Sequence, residues 1–279
     1  MSRLENNITR LIRPEIQALS AYAIPDPGEL VKLDAMENPY AWPEELINEW
    51  LEILRNVSVN RYPDPNANAL KTRLRSSMDV PQGMELMLGN GSDEIIQIIM
   101  MALNPGQVVL SPAPSFVMYN MIATFTGLKY VGVPITNDFE LDMDAMTRAI
   151  QEHHPAVIFI AYPNNPTGNL FKRKDILEIL NISDGLVVID EAYHAFADDT
   201  FMAELDQFEN LLIMRTVSKM GLAGLRLGFL AGHEKWLSEF NKIRLPYNIN
   251  ILTQTSAEFA LNHHSLFSEQ TRSICIDLE

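Results

Sequence analysis

Apolar residues in this chain fall into two alternating kinds of segment. Short runs rich in Val, Ile and Leu, bounded by Gly, Pro and Asn, occupy residues 85–88, 108–111, 129–133, 156–161, 186–189, 211–215 and 227–231. Runs of that length with little polar alternation predict strands buried on both faces, as in a parallel sheet. Between most of them apolar positions recur every three or four residues, which predicts helices over 94–102, 116–125, 143–152, 172–179 and 203–208. Strand–helix alternation of this kind predicts an α/β fold, a mostly parallel seven-stranded sheet with helices on both faces.

The flanks read differently. Residues 8–19 are mildly amphipathic and interrupted at Pro14, and Pro25-Asp26-Pro27-Gly28 reads as a turn. Helical spacing returns over 44–55, at Leu46, Ile47, Trp50, Leu51 and Leu54. It returns again over 69–78, where Lys71, Arg73 and Arg75 are expected to be solvated. Beyond Trp236 the pattern stays helical, through 252–261 and 266–279. The expected division is an N-terminal arm (1–32), a large domain (33–247) and the start of an incomplete smaller domain (248–279).

Composition narrows the class. The 279 residues are 47% hydrophobic and 20% charged, enough for one sizeable core plus a smaller lobe. A net charge of −15 without a basic face argues against nucleic-acid binding. Cys275 is the single cysteine, so an intrachain disulfide is excluded and a reducing compartment fits. Residues 1–7 lack the apolar core of a signal peptide, and no apolar run reaches membrane-spanning length, so a cytoplasmic, membrane-free protein is expected. The histidines show no metal-ligand spacing, and no metal is expected.

Ligands in open α/β sheets bind beyond the carboxyl ends of the strands. Strand 186–189 runs into Asp190-Glu191-Ala192-Tyr193, and strand 211–215 into Thr216-Val217-Ser218-Lys219, with Gly221, Gly224 and Arg226 following. Asp190, Tyr193, Ser218 and Lys219 should therefore converge on one crevice. These residue types suit pyridoxal phosphate. A lysine forms a Schiff base with an aldehyde, and a carboxylate keeps a pyridine nitrogen protonated. A phenol can bond the ring oxygen, while serine and arginine can take a phosphate. Either Asp190 or Lys219 alone would be read as an ordinary strand-end group; both together, each after a strand, point to the cofactor.

Further segments sit at other strand ends. Gly89-Asn90-Gly91-Ser92-Asp93-Glu94 lies between a strand and a helix, so the free amides of Ser92 and Asp93 make an anion site. It is neither a Walker loop nor a dinucleotide fingerprint, and by itself it is also consistent with a plain capped turn. In Tyr162-Pro163-Asn164-Asn165-Pro166-Thr167-Gly168, Pro166 holds Asn165 extended with its amide toward the same crevice. Phe116, after Pro112-Ala113-Pro114-Ser115, is placed either to stack on a flat ring or to fill the core.

Taken together, the set resembles the fold-type I, class I/II pyridoxal-phosphate aminotransferases and, among them, the histidinol-phosphate aminotransferase group. The residues that carry the resemblance are Glu37-Asn38-Pro39-Tyr40, Tyr62-Pro63-Asp64, Gly91-Ser92-Asp93-Glu94, Asn165-Pro166-Thr167-Gly168, Asp190-Glu191-Ala192-Tyr193, and Ser218-Lys219 with Gly224-Leu225-Arg226. The resemblance runs from about Tyr22 to Asn250. It implies that Lys219 is the Schiff-base lysine and proton carrier, that Asp190 pairs with the pyridine nitrogen, and that Tyr193 and Asn165 bond the ring oxygen. Phe116, where relatives often carry Tyr, would stack on the ring. Ser92, Asp93, Ser218 and Arg226 would hold the phosphate, joined by Tyr62 from a neighbouring subunit of a homodimer. Tyr22 and Asn38 would line the substrate pocket.

The implied reaction is transamination between L-histidinol phosphate and 2-oxoglutarate, with glutamate as the other amino acid, in histidine biosynthesis. Aromatic amino-acid aminotransferases and threonine-phosphate decarboxylases share the fold and remain alternatives, as does a truncated, cofactor-binding homologue of low activity. An unrelated nucleotide-binding α/β domain is the reading of another class. Relatives continue past residue 279, with an arginine that grips the substrate's anionic end. The chain as given is therefore expected to bind cofactor but turn over substrate poorly. The apolar set Leu252, Ala257, Phe259, Ala260 and Leu261 is expected to be left exposed, favouring aggregation.

Overall fold

The structure, a computed structural model, describes residues 2–23, 26, 28–30, 32 and 34–278. In chain order the helices are α1 (Arg3–Leu11), α2 (Pro14–Gln17), α3 (Glu44–Leu54), α4 (Asn68–Ser77), α5 (Ser92–Ala102), α6 (Met118–Thr126), α7 (Met143–His153), α8 (Arg173–Ile182), α9 (Glu234–Asn241), α10 (Ile251–Asn262) and α11 (His264–Leu278). The strands are β1 (Glu85–Gly89), β2 (Val108–Ala113), β3 (Lys129–Pro134), β4 (Val157–Ala161), β5 (Leu186–Asp190), β6 (Leu211–Thr216) and β7 (Gly228–Gly232). They form one seven-stranded sheet in the order β1-β7-β6-β5-β4-β2-β3. β7 alone runs against its neighbours, β1 and β6. Every other pairing is parallel.

The unbroken apolar runs are explained by burial of both sheet faces. Ile158, Ile160, Val187, Ile189, Ile213 and Phe229 join a core shared with α4, α8 and α10. Their sequence neighbours Val157, Phe159, Val188, Leu212, Met214 and Leu230 join a second core under α5, α6 and α9. Because the parallel strands point the same way, Ala161, Asp190 and Thr216 end on one rim. Gly228, which starts the reversed β7, pairs with both Gly89 and Thr216 there.

Several expectations need correction. Residues 203–208 do not form an α-helix; a 3₁₀ turn, Met202–Glu204, stands in that region. Glu204 is tied to Arg173 on α8, and Phe208 already accepts from the Leu211 N–H at 3.2 Å to launch β6, so no room is left for further helical turns. Lys71 and Arg75 are half-buried rather than solvated. They reach Glu85 at the start of β1, at 3.7 and 3.3 Å, and burial pulls the Lys71 ammonium down.

The apolar face of α10 is not exposed either. Ala257, Phe259, Ala260 and Leu261 are buried, and Leu252 alone of the five is exposed. The helix packs on α3 and α4. Trp42 serves as the hub, with ring centroids 5.6 Å from Trp50, 6.1 Å from Phe259 and 5.7 Å from Phe267 of α11. The Trp50 indole N–H donates to Ser256 at 2.9 Å. The turn expected at Pro25-Asp26-Pro27-Gly28 lies partly outside the described residues, as does Glu279; within the turn Asp26 accepts from the Gly28 N–H at 3.0 Å.

Candidate active site

The strand-end rim encloses a cavity. Asp190, the last residue of β5, forms its floor and is 4% exposed. Its Oδ2 accepts from the Tyr119 hydroxyl at 2.7 Å, and its Oδ1 accepts from the Ala192 N–H at 3.0 Å. Burial pushes the carboxyl up to about 6. The charges of Asp93 and Glu191 push the same way, and the two hydrogen bonds oppose them.

Lys219 enters from β6. The 3₁₀ turn Ser218–Met220 carries it, closed by Gly221 at φ 114°, a value only glycine adopts without strain. The glycine is also needed for room, since a Cβ there would lie 2.9 Å from the Asn38 side-chain nitrogen. The Lys219 Nζ lies 5.2 Å from the Tyr193 ring centroid and donates to the Ala35 carbonyl. Burial lowers its pKa, with Arg226 and Lys32 adding to the effect and Glu37 and Asp93 opposing it. Thr216 fixes the start of the turn: its hydroxyl donates to the Leu227 carbonyl at 2.9 Å and lies 2.8 Å from the Ser218 hydroxyl.

One end of the cavity is built at the first turn of α5. Its N-cap, Gly91 at φ 85°, has no side-chain cap, so the amides of Ser92 and Asp93 are left for a ligand. A Cβ on Gly91 would lie 2.6 Å from Arg226 Nη2, and one on Gly228 would lie 3.0 Å from the Ser92 nitrogen. Both glycines let the α5 turn, the start of β7 and the Arg226 side chain approach one another closely. Arg226 Nη2 stands 3.6 Å from Asp93 Oδ2. The other oxygen, Asp93 Oδ1, is buried without a hydrogen-bond partner, and burial raises this carboxyl's pKa. Glu94 steadies the turn by accepting from the Asn90 N–H at 2.6 Å and from Asn248 at 2.8 Å.

The side walls come from β2 and β4. Asn165 donates to the Tyr193 hydroxyl at 3.5 Å. Its loop is braced by buried Asn164, which accepts from Ser115 at 3.0 Å and donates to Thr167 at 2.7 Å. Phe116 lines the cavity with its ring edge-to-face against Tyr119, 5.6 Å between centroids and 87° between planes.

The structure thus brings Asp190, Tyr193, Ser218 and Lys219 into one cavity with Ser92, Asp93, Phe116, Asn165 and Arg226. Three expected residues stand apart from its lining. Tyr62 is 81% exposed and stacks on Tyr247, with centroids 4.5 Å apart. Tyr22 is 64% exposed and close enough to Tyr193 to help raise that phenol's pKa. Asn38 lies beside the lysine turn, donating to the Met220 carbonyl at 3.2 Å and to Gln270 at 3.0 Å.

Two groups were missed by sequence reading. One is Tyr119, and the signal for it is its position one helical turn after Phe116. The other is the buried pair Glu191–Arg215, which closes at 2.7 Å behind Asp190. Among the described residues, no group of three or more His, Cys, Asp or Glu side chains is placed to hold a metal ion, and no helix is long and apolar enough to cross a membrane.

Comparison with known proteins follows the same lines. The family described as aminotransferase class I and II matches residues 28–277. A curated protein named histidinol-phosphate aminotransferase 2, from Nitrosococcus oceani, is 57% identical over 272 residues, covering 97% of this chain and 76% of its own. A protein of the same name from Cupriavidus pinatubonensis is 51% identical over 273 residues, covering 96% and 75%. The solved histidinol-phosphate aminotransferase of Sinorhizobium meliloti, in complex with pyridoxal 5′-phosphate, superposes with a TM-score of 0.80 at 23% identity, covering 92% of this chain and 73% of that one. It shares the fold.

Proposed function

Because this chain belongs to the class I and II aminotransferases, we propose that it exchanges an amino group between L-histidinol phosphate and 2-oxoglutarate, using pyridoxal phosphate that Lys219 and Asp190 would help to hold. The observation that carries the reading is the pairing of an amine and a buried carboxylate at the ends of adjacent strands, in one cavity with an uncapped helix N-terminus. The substrate is argued from relatives bearing that name at 57% and 51% identity.

The residues fit the cofactor. Asp93 Oδ1 is an orphaned polar atom at the first turn of α5, which has no side-chain cap. The Ser92 and Asp93 amides, the Ser218 hydroxyl and Arg226 would hold the phosphate. The raised pKa of Asp93 eases its place near an anion. Tyr193 and Asn165 would bond the ring oxygen, and Phe116 would cover the ring face. When bound, the cofactor supplies an electron-withdrawing pyridinium ring that takes up the electron pair released at the substrate's α-carbon.

The chain's own groups do the rest. Asp190, ionised above about pH 6, would favour a proton on the ring nitrogen by its charge. The lowered pKa of Lys219 gives its Nζ a larger neutral fraction, which suits both imine formation and carrying a proton between carbons. Tyr22 and Asn38 would contact substrate at the open side. Tyr62, exposed and held by Tyr247, would reach the phosphate of a neighbouring copy in a homodimer.

The test is a steady-state comparison of amino donors with the cofactor-loaded protein and 2-oxoglutarate. Histidinol phosphate should give the highest kcat/KM. Preference for phenylalanine or tyrosine, or carbon dioxide release from phosphothreonine, would overturn the substrate assignment.

A further inference from the structure

Tyr119 is fully buried, and its one hydroxyl proton goes to Asp190 Oδ2 at 2.7 Å. We propose that Tyr119 is a positioning residue that keeps Asp190 ionised and aimed into the cavity while propping Phe116 across from it. The proposal rests on the reading of this cavity as a pyridoxal-phosphate site and goes further by adding a residue that does not touch the cofactor.

The geometry supports two functions for one side chain. The Tyr119 ring stacks on Phe159 of β4, with 4.9 Å between centroids and 19° between planes, so its orientation is fixed by the sheet. Held that way, its face or edge meets Phe116 and its hydroxyl meets Asp190. A hydrogen bond donated to a carboxylate favours the charged form. Burial and the adjacent Asp190 charge push the Tyr119 phenol well up, so it stays a donor throughout the working range.

The other groups facing Asp190 do not supply this effect. Asp93 on α5 and Glu191 at the strand end both disfavour its charge, and Glu191 is itself held by Arg215. Tyr193 follows in the next turn, and Lys219 and Arg226 line the cavity from the β6–β7 side. Apart from Tyr119, the donor on the carboxylate is the Ala192 N–H at 3.0 Å. Removing the Tyr119 oxygen leaves both ring contacts in place and deletes one of these two donors.

Tyr119→Phe separates a positioning role from a packing one. The readout is the ¹⁵N chemical shift of ring-labelled pyridoxal phosphate, titrated with pH in the holoprotein. In the wild type the ring nitrogen should be protonated at neutral pH. In Tyr119→Phe the shift at neutral pH should move toward that of the unprotonated ring, because a carboxylate that has lost one donor is more basic and competes more strongly for the shared proton. Replacing Tyr119 by 3-fluorotyrosine, a stronger donor of nearly the same shape, should move the shift the other way, toward that of the protonated ring, and this arm decides the matter if the Phe variant does not fold. Identical ¹⁵N shifts across the pH range in all the proteins would overturn the role of Tyr119 while leaving the cofactor site standing. A wild-type ring nitrogen that is unprotonated at neutral pH, or a wild type that takes up no cofactor, would overturn both.

Discussion

Replacing Asp190 by asparagine should stabilise the cofactor-free protein and disable the loaded one. Asp190 is 4% exposed, and burial lifts its carboxyl from 3.8 to about 6. A difference of that size corresponds to about 3 kcal/mol. The native state binds the proton more tightly than the unfolded chain, so between pH 4 and pH 6 the wild type loses stability as pH rises, and the loss is complete above about pH 6. Asparagine carries no charge to desolvate, and its amide oxygen can still accept from a neighbouring donor. The variant should therefore lack this fall. At roughly 2–4 °C per kcal/mol for a chain of this order of size, its Tm at pH 8 should exceed the wild type's by about 6–12 °C, with the gap closing toward pH 4.

Adding pyridoxal phosphate should reverse the ranking. A carboxylate about 4 Å from a pyridinium is worth on the order of 4 kcal/mol at an effective dielectric of 20, and asparagine forfeits it. Amino transfer by the variant should drop by at least about a hundredfold. The assay is thermal unfolding of both proteins across pH 4–8, with and without cofactor, beside a turnover measurement. Parallel Tm-against-pH curves for the two cofactor-free proteins would refute the reasoning, because they would mean that Asp190 titrates as an ordinary exposed carboxyl.

Two further outcomes follow from the geometry. Glu191→Gln removes the charge that neutralises buried Arg215 and should cost about 3–5 kcal/mol, read as a lower urea midpoint; an unchanged midpoint would show that the pair is dispensable. If Tyr62 serves a neighbouring copy's site, mixing Tyr62→Ala and Lys219→Ala chains should regenerate one intact site per heterodimer, and turnover no higher than the sum of the separate variants would count against sharing.

The strands were legible because burial on both sheet faces forces near-continuous apolar runs, as in Val187, Val188 and Ile189. The crevice was legible for a related reason: parallel strands put Asp190 and Thr216 on one rim, so chemistry-bearing residues just after them must converge. What could not be read depends on long-range partners. The bond from Tyr119 to Asp190 spans 71 positions, and Tyr119 by pattern is simply a helical core position. Arg215 reads as a strand-end cation until Glu191 is found across the β5–β6 pairing. The α10 face looked unpartnered because the Trp42 hub that covers it lies more than 200 positions earlier in the chain. Residues 203–208 have helical spacing, but the tie from Glu204 to Arg173 and the early start of β6 override it.

The central claim is that the cavity at the ends of β5 and β6 carries its cofactor on Lys219. The most direct measurement is to load the protein with pyridoxal phosphate, reduce it with borohydride and map the peptides by mass. The account predicts a single phosphopyridoxyl group on Lys219, absent when the Lys219→Ala chain is treated in the same way. Labelling at Lys32, Lys235 or Lys242 in place of Lys219, or equal labelling of the Lys219→Ala chain, would contradict it.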